Sequence, residues 1–225
     1  GSLFDEFKPK QVATQVDEVI TLRPYQQGAV DAIFSDWQNG SVSTLVTLPT
    51  GCGKSVVFSA VMDEVMRCQP DRRILVLAHR EELIYQAEQH AKNVGWTAGI
   101  EMGSQRAATQ SIVISTVQTQ TAWGKCRDCH GEGCDWCGHK GKQRRLQRFR
   151  WEQFSTLIID EAHHATAESY RIVLEYYRQN PALRVLMVTA TPNRTDKVGL
   201  HNVCDSVAYD MDLRHAINEG WLVPI

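Results

Sequence analysis

Seven consecutive residues near the start of the chain form a pattern that binds phosphate groups. The run Pro-Thr-Gly-Cys-Gly-Lys-Ser follows a short apolar stretch. Its glycines let the backbone turn tightly and direct successive N–H groups towards an anion. The lysine can reach the outer phosphates of a nucleotide, and the serine hydroxyl can ligate Mg²⁺. We therefore predict that a nucleotide is bound by Pro49, Thr50, Gly51, Cys52, Gly53, Lys54 and Ser55.

One position departs from the strict form of this phosphate-binding motif. The strict motif has glycine where this chain has Leu48. The glycines nearest the lysine wrap the phosphates, and both are present, so the chemistry survives the substitution. The Cys52 side chain is expected to face away from the phosphates and to fill space.

Two adjacent acids follow another apolar run. Residues 157–159 are Leu-Ile-Ile, and Asp160 and Glu161 come directly after them. Hydrolysis of a nucleotide needs a carboxylate near the metal and a base near the attacking water. We predict that Asp160 holds Mg²⁺, directly or through water, and that Glu161 orients and deprotonates the water. The alternative is an ordinary solvated strand end, and the upstream phosphate motif argues against it.

Four of the seven cysteines fall within twelve residues and form two Cys-x-x-Cys knuckles. They are Cys126, Cys129, Cys134 and Cys137. Two such knuckles can make a closed tetrahedral site of the kind that binds structural zinc. An iron–sulfur cluster and unmetallated or redox-active thiols are the alternatives. Because the spacing is tight, His130 or His139 could also replace one thiolate.

The charge of the chain is unevenly distributed. Residues 124–150 hold eight basic and three acidic residues, a balance of +5, which leaves −7 for the rest because the net charge is −2. A basic segment on an acidic body is a candidate contact for a polyanion, although a solvated basic loop would look the same. We predict that Arg144, Arg145 and Arg148 neutralise nucleic-acid phosphates and that Phe149 or Trp151 stacks on a base.

The elements that must position these residues alternate between short apolar runs and amphipathic stretches. The pattern predicts strands at 42–48, 74–78, 112–115, 157–159, 185–188 and 207–211. It predicts helices at 30–37, 54–67, 81–93, 167–179 and 213–219. Such alternation indicates an α/β fold, a mostly parallel sheet with helices on both faces, whose ligands bind at the carboxyl ends of the strands. Only the insertion at 124–142 breaks the pattern.

Six segments, taken in order, resemble the motifs of superfamily 2 helicases. Residues 22–26, Leu-Arg-Pro-Tyr-Gln, are similar to the adenine-reading motif, and 160–163, Asp-Glu-Ala-His, to the DEAH form of motif II. The others are 48–55, 78–83, 115–119 and 189–192. The Arg-Pro-Tyr-Gln-Gln and Thr-Ala-Thr-Pro-Asn-Arg runs are closest to the group of RadD, XPB and the restriction translocases. The resemblance covers residues from 21 to about 225.

The resemblance implies roles for residues that the spacing alone does not explain. Gln26, and with it Arg23, would contact the adenine base. Arg80 and Thr116 would face nucleic acid. His163 would complete the catalytic set with Lys54, Asp160 and Glu161 by linking hydrolysis to motif III, which couples it to strand movement.

The resemblance also implies a domain plan. We predict an N-terminal leader at 1–20, with residues 1–2 a cloning scar, and a RecA-like P-loop NTPase domain at 21–212. The four-cysteine zinc-knuckle insertion lies inside it at 124–142. Residues 213–225 would lead towards a second RecA-like domain. Since the arginine fingers of such proteins lie in that second domain, we expect this 225-residue chain alone to hydrolyse ATP slowly.

The expected function is that of the ATP-binding motor domain of an ATP-dependent DNA helicase or translocase. It would use ATP, Mg²⁺ and Zn²⁺, with DNA favoured over RNA as the partner. One alternative is a motor that tracks along duplex DNA without separating its strands, and another is a zinc-stabilised nucleic-acid-binding module with a weak motor. No apolar run approaches the ~18 residues of a membrane span and no signal peptide opens the chain. We therefore expect a cytoplasmic, intracellular protein without a membrane partner.

Overall fold

The apolar runs of the sequence pair side by side into a parallel sheet. The computed structural model describes residues 21–78, 81–162, 167–190 and 203–222. The strands of the sheet are β1 (Ser43–Thr47), β2 (Arg73–Ala78), β3 (Ala98–Glu101), β4 (Ile112–Thr116), β7 (Phe154–Asp160), β8 (Arg184–Thr189) and β9 (Ser206–Asp210). Their order is β3-β4-β2-β7-β8-β1-β9, and every neighbouring pair is parallel. Strands β5 (Trp123–Lys125) and β6 (Lys142–Arg144) form a separate antiparallel ribbon.

Helices connect the strands and cover the sheet. They are α1 (Pro24–Gln38), α2 (Lys54–Cys68), α3 (Glu81–Asn93), α4 (Val117–Thr121), α5 (Glu168–Tyr177) and α6 (Leu213–Asn218). Short 3-10 turns lie at Asp135–Cys137, Arg145–Arg148 and Trp151–Gln153. None of the helices within the described residues combines the length and apolar composition needed to cross a membrane. The intracellular location stays a prediction.

Alternate side chains of each strand enter two separate apolar layers. In β2, Ile74 and Val76 pack with helices α1, α2 and α3, whereas Leu75 and Leu77 pack with α5 on the other face. All four are fully buried. This division follows from the strand period of two, and it confirms the predicted parallel sheet with helices on both faces.

The predicted strands and helices are confirmed to within a few residues at most boundaries, the largest difference being α1, which begins at Pro24. Four elements were not predicted: β3, α4 and the two strands of the ribbon. Some predictions fall outside the described residues. These are the leader at 1–20, Arg80, His163, the motif III residues after 190 and the last three positions of the chain.

Candidate functional site

The phosphate-binding run and the acidic pair lie at the same edge of the sheet. β1 ends directly before the loop at 48–53, and β7 ends in Asp160, with β8 between the two strands. The N–H of Leu48 donates to the carbonyl of Thr189 at the end of β8, at 3.1 Å, so the loop leaves the sheet as a continuation of the strand pairing. The carboxyl ends of parallel strands meet here, which is where ligands bind in such sheets.

Two glycines shape the phosphate loop. Gly51 and Gly53 have φ values of +89° and +73°, in the left-handed region that favours glycine. A Cβ atom at Gly53 would lie 2.5 Å from Nε2 of Gln26. A residue with a side chain would therefore be strained by the positive φ and would also clash with Gln26. Helix α2 begins at Lys54, directly after the loop, and its first N–H groups face the same edge of the sheet. The geometry is that of an anion cradle at a helix N-terminus.

The start of helix α1 braces this loop from the side. Gln26 Nε2 and the Tyr25 hydroxyl both donate to the carbonyl of Cys52, at 3.1 and 3.0 Å. The Gln26 carboxamide oxygen accepts from the N–H of Arg23 at 2.9 Å. The Arg-Pro-Tyr-Gln run is therefore hydrogen-bonded to the phosphate loop. The part played by Tyr25 was not predicted, although it lies between the two residues of the run that were.

The Cys52 side chain is fully buried among apolar groups. Burial raises the pKa of this thiol, so it stays neutral and acts as a small apolar group. This placement agrees with its predicted space-filling role. The backbone of Cys52, rather than its sulfur, is the part that joins the loop to α1.

Three of the four predicted catalytic residues, Lys54, Asp160 and Glu161, lie at this edge, and the fourth, His163, is outside the described residues. Lys54 Nζ lies 3.9 Å from Glu161 Oε1, and the two side chains are 14% and 28% exposed. Asp160 is 9% exposed, and its Oδ1 accepts from the N–H of Glu161 at 2.9 Å. Glu161 has φ +52°, an uncommon conformation for a residue other than glycine and one that recurs at functional sites. The lysine predicted to bind phosphate and the acid predicted to act on water therefore lie side by side.

Asp160 is held in a low-dielectric environment. Burial and the negative charge of Asp160 raise the pKa of Tyr170, on helix α5, to about 12. Ser55 is partly buried and is the second residue of α2, which begins at the same edge of the sheet. Carboxylate and hydroxyl oxygens are ligands that suit Mg²⁺.

The four clustered cysteines lie around one point. Their Sγ atoms are all within 4.8 Å of one another. The Cys126–Cys134, Cys129–Cys137 and Cys134–Cys137 sulfur pairs are each separated by 3.8 Å. A disulfide would bring two sulfurs to ~2.05 Å. Thiolates at ~2.3 Å from one tetrahedral ion are about 3.8 Å apart, so the donor set fits a single ion.

Backbone N–H groups point at two of these sulfurs. The N–H groups of Gly133 and Cys134 lie 3.1 and 3.3 Å from the sulfurs of Cys129 and Cys137. The N–H of Cys134 lowers the pKa of the Cys137 thiol, which favours its thiolate, whereas hydrogen bonds with the neighbouring sulfurs raise the pKa of the Cys134 thiol. The His139 ring is turned towards Asp135 at 3.0 Å. Among the described residues, the group of side chains close enough to hold one ion consists of the four cysteines and includes neither His130 nor His139.

Two of the three arginines predicted to contact nucleic acid have a partner inside the protein. Arg145 Nε and Arg148 Nη1 both lie 2.5 Å from Oε1 of Glu101, whose side chain is fully buried. Arg145 also donates to the carbonyls of Gly103 and Gln105. These contacts fix the 3-10 turn at 145–148 on the end of β3. The nucleic-acid role of both arginines stays a prediction, and Glu101, 44 residues from Arg145, was not foreseen.

The remaining residues predicted to face nucleic acid are placed differently. Thr116, at the end of β4, caps helix α4 by accepting from the N–H of Thr119 at 3.1 Å. Arg144 is partly exposed at the end of β6 and donates to the carbonyl of Thr121 at 2.9 Å. Phe149 is 4% exposed and packs edge-on against Phe154, so its predicted base stacking is wrong.

Several proteins with similar sequences carry names of ATP-dependent or DNA helicases. The model of the family described as "Type III restriction enzyme, res subunit" matches residues 19–194. The chain is 30% identical to IRC3 of Saccharomyces cerevisiae, a candidate ATP-dependent helicase by its name, and 26% identical to the DNA 3′-5′ helicase XPB of Mycobacterium tuberculosis. These matches cover 89% and 90% of the chain but 28% and 33% of the relatives. The chain thus spans about a third or less of their length.

Solved structures show the same fold. The chain resembles the Hef helicase domain of Pyrococcus furiosus with a TM-score of 0.62 at 18% identity, over 85% of this chain and 39% of that one. It resembles the UvsW helicase of bacteriophage T4 with a TM-score of 0.59 at 14% identity, over 83% and 59%. The family match, the ordered motifs and this fold agree. The chain belongs to the type III restriction enzyme res-subunit family, and it is a first RecA-like domain of the superfamily 2 helicase type.

Proposed function

We propose that this chain binds Mg·ATP and hydrolyses it as the motor domain of an ATP-dependent DNA helicase or translocase. The observation that carries the proposal is the 3.9 Å approach of Lys54 to Glu161 at the carboxyl edge of the sheet. A cation for the phosphates and a base for the water are both needed for phosphoryl transfer to water. They lie 107 positions apart in the chain, and the fold brings them together.

Each residue of the site has a proposed role. Lys54 binds the outer phosphates while the backbone N–H groups of the loop surround them. Ser55 and Asp160 hold Mg²⁺, which neutralises charge on the phosphate oxygens when bound. Glu161 orients the attacking water and accepts its proton. His163, which lies outside the described residues, is proposed to link ATP hydrolysis to motif III.

Adenine recognition is proposed for the start of α1. Gln26 is the proposed contact, and what supports it is that its carboxamide is hydrogen-bonded to both the Arg23 backbone and the Cys52 carbonyl of the phosphate loop. Arg23 is exposed beside it. A base bound here would therefore be sensed by the loop that holds the phosphates.

DNA is the proposed partner, contacted first through Arg80, which follows β2 in the chain, and Thr116, which is the last residue of β4. Support comes from the names of relatives, since the similar XPB protein is a DNA helicase. Arg144, Arg145 and Arg148 would contribute positive charge near that track. A second RecA-like domain, with its arginine fingers, is the proposed partner for rapid hydrolysis. A motor that tracks along duplex DNA without separating its strands is the alternative within this proposal.

Zinc is the proposed ion at the four cysteines. The 3.8 Å sulfur separations suit one tetrahedral ion, whereas several iron atoms between the thiolates would hold them farther apart. Cys126, Cys129, Cys134 and Cys137 would be its ligands, and its role is structural. Elemental analysis giving one zinc per colourless chain supports it, and a brown protein with absorbance near ~400 nm contradicts it.

The nucleotide site is tested by calorimetric titration of the 225-residue chain with ATP in the presence of Mg²⁺. We expect binding that Lys54→Ala and Asp160→Asn each weaken by at least about tenfold, because phosphate and metal contacts are lost. Lys92→Ala, which removes an exposed lysine from α3, is the control and should bind as the wild type does.

Two outcomes would count against the proposal. Wild-type affinity in Lys54→Ala would show that the phosphate loop does not bind the nucleotide. No ATP binding by the wild type, together with retained DNA binding, would favour the zinc-stabilised binding module with a degenerate motor.

A further inference from the structure

The two-stranded ribbon β5–β6 places one aromatic ring and three cations on a single face. In its register Trp123 lies opposite Arg144, and Lys125 lies opposite Lys142. Residues directly opposite, and residues two apart, share one face of an antiparallel pair. These four side chains therefore line the same side of the ribbon, and we call it the ribbon face.

The opposite side of the ribbon faces the cysteine cluster. It holds Gly124 and Gln143, and Gln143 is 4% exposed with its carboxamide oxygen 3.6 Å from the sulfur of Cys126. The metal site thus fixes which side of the ribbon turns inward. The ribbon face is consequently left towards solvent.

The aromatic residue of the ribbon face is both exposed and held in place. Trp123 is 58% exposed, the highest value among the large hydrophobic residues of the described chain. The Arg144 guanidinium lies 4.8 Å from the centre of its ring and donates to the Thr121 carbonyl. A ring fixed on one side by a cation and open on the other can stack on a flat partner.

The lysine pair on the same face lacks a charge partner in the part of the chain that the structure describes. Lys125 and Lys142 are both exposed, and neither takes part in an ion pair within those residues. Like charges directly opposite each other destabilise a strand pair. An anion placed over the ribbon face would remove that repulsion.

The ribbon face also lies beside the proposed nucleic-acid track. Thr116 starts helix α4, which ends at Thr121, and the Ala122 carbonyl accepts from the N–H of Arg145 at 2.8 Å. One five-residue helix, about 7.5 Å long, therefore separates Thr116 from the foot of the ribbon. A strand bound at Thr116 needs to extend by only a few nucleotides to reach Trp123.

We propose that the ribbon face binds single-stranded DNA, with Trp123 stacked on an unpaired base and Lys125 and Lys142 on adjacent phosphates. An unpaired base is required because the indole needs an exposed base surface, and such stacking accepts any base. This inference rests on the proposed function for its partner. It differs from the prediction made for Arg145 and Arg148, because both of those guanidinium groups are paired with Glu101 inside the protein.

The test is fluorescence anisotropy of a labelled oligo(dT) strand titrated with the 225-residue chain over a series of salt concentrations. We expect Trp123→Ala to weaken binding about tenfold and Trp123→Phe to restore most of it, because an aromatic ring is retained. Lys125→Gln/Lys142→Gln should reduce the slope of log affinity against log salt by about 1.4, as each phosphate contact on a single strand contributes ~0.7.

The control is Arg67→Gln/Lys92→Gln, which removes two exposed charges from α2 and α3 and should change neither affinity nor slope. Zinc content and Mg·ATP affinity are measured on every variant, and both should stay at wild-type values. If ATP binding fails while Trp123 still governs DNA binding, the proposed motor function is wrong and this inference stands.

Three results would overturn the inference. The first is wild-type affinity and salt slope in both the tryptophan and the lysine variants. The second is an equal loss of affinity for a blunt duplex and for oligo(dT) in Trp123→Ala, which would mean that no unpaired base is bound. The third is absence of binding at low salt, since non-specific nucleic-acid binders reach dissociation constants on the order of 10⁻⁴ to 10⁻⁶ M.

Discussion

The carboxyl edge of the sheet and the cysteine hairpin at 123–144 obtain their order in opposite ways. The strands that deliver the nucleotide site, β1 and β7, are buried at every position. In the hairpin only Cys126, Cys137, Gly141 and Gln143 are buried. One region is positioned by packing that spans the domain. The other has too little apolar surface for a core, and the proposed ion at its four cysteines would supply its order.

This difference predicts that the two regions fail separately. Loss of the metal should disorder the hairpin and leave the sheet intact. Changes at the sheet edge should abolish nucleotide binding and leave the metal bound. The contact between them is the ion pair of Arg145 and Arg148 with Glu101, which joins the end of the hairpin to strand β3.

The largest effect is expected from removing a metal ligand. Cys126→Ala should lower the metal content from about one ion per chain to none, because bound structural zinc contributes on the order of 10 kcal/mol and the hairpin has no other core. Hydrogen exchange should become fast at 123–144 and stay slow in β1, β2 and β7. Cys204→Ala, a buried cysteine outside the cluster, is the control and should keep its metal. Retained metal in Cys126→Ala would refute the four-sulfur site.

The next largest effect should come from Glu101→Gln, which breaks the link between the two regions. Two guanidinium groups would lose a fully buried carboxylate, and we expect the free energy of unfolding in urea to fall by about 3 kcal/mol. Glu175→Gln removes an exposed partner of Arg171 and should cost less than about 0.5 kcal/mol. If the two variants lost equal stability, the buried pair would not be the link described here.

A smaller effect concerns the amino end of β1, far from both sites. Partial burial raises the pKa of Asp205, but N–H groups of Ser43 and Val42 and the charge of Arg178 outweigh it, so this pKa lies below its usual range. A depressed pKa means that the carboxylate stabilises the fold above about pH 4 and that the gain is lost as the pH falls through the folded-state value. We expect Asp205→Asn to destabilise the chain by about 1 kcal/mol at pH 7.

The same pH series supplies the check on Asp205. The gap in urea midpoint between wild type and Asp205→Asn should close as the pH falls below about 4. Asp31→Asn, on the exposed side of α1, should show little difference at any pH. A gap that stayed constant with pH would mean that the Asp205 charge is not what stabilises this end of the sheet.

The nucleotide site was predictable because its signals are local. Each strand that carries a site residue is a short apolar run, and each motif directly follows one. The sequence shows Lys54 and Glu161 separately, and the parallel sheet rule places them at one edge. Their actual approach to 3.9 Å depends on β8 lying between β1 and β7, a sheet order that no local pattern contains.

The hairpin was only partly predictable. The cysteine spacing predicted that the four thiols lie together, which the structure shows, but β5 and β6 are three residues long and have no apolar alternation to reveal them. The charge balance predicts one basic surface that contains Arg144, Arg145 and Arg148, whereas in the structure these arginines have different partners. Arg145 and Arg148 turn to Glu101, and Arg144 turns to Trp123. Such pairings join residues more than 20 positions apart, and charge counting cannot separate them.

The most direct test of the account is hydrogen exchange of the intact chain with and without Mg·ATP. The account predicts new protection at 48–57 and in the segment that contains Asp160 and Glu161, with exchange at 123–144 unchanged. Lys54→Ala should show none of this protection while keeping its zinc. Protection confined to the hairpin, or equal protection in Lys54→Ala, would contradict the claim that the sheet edge is the ATP site.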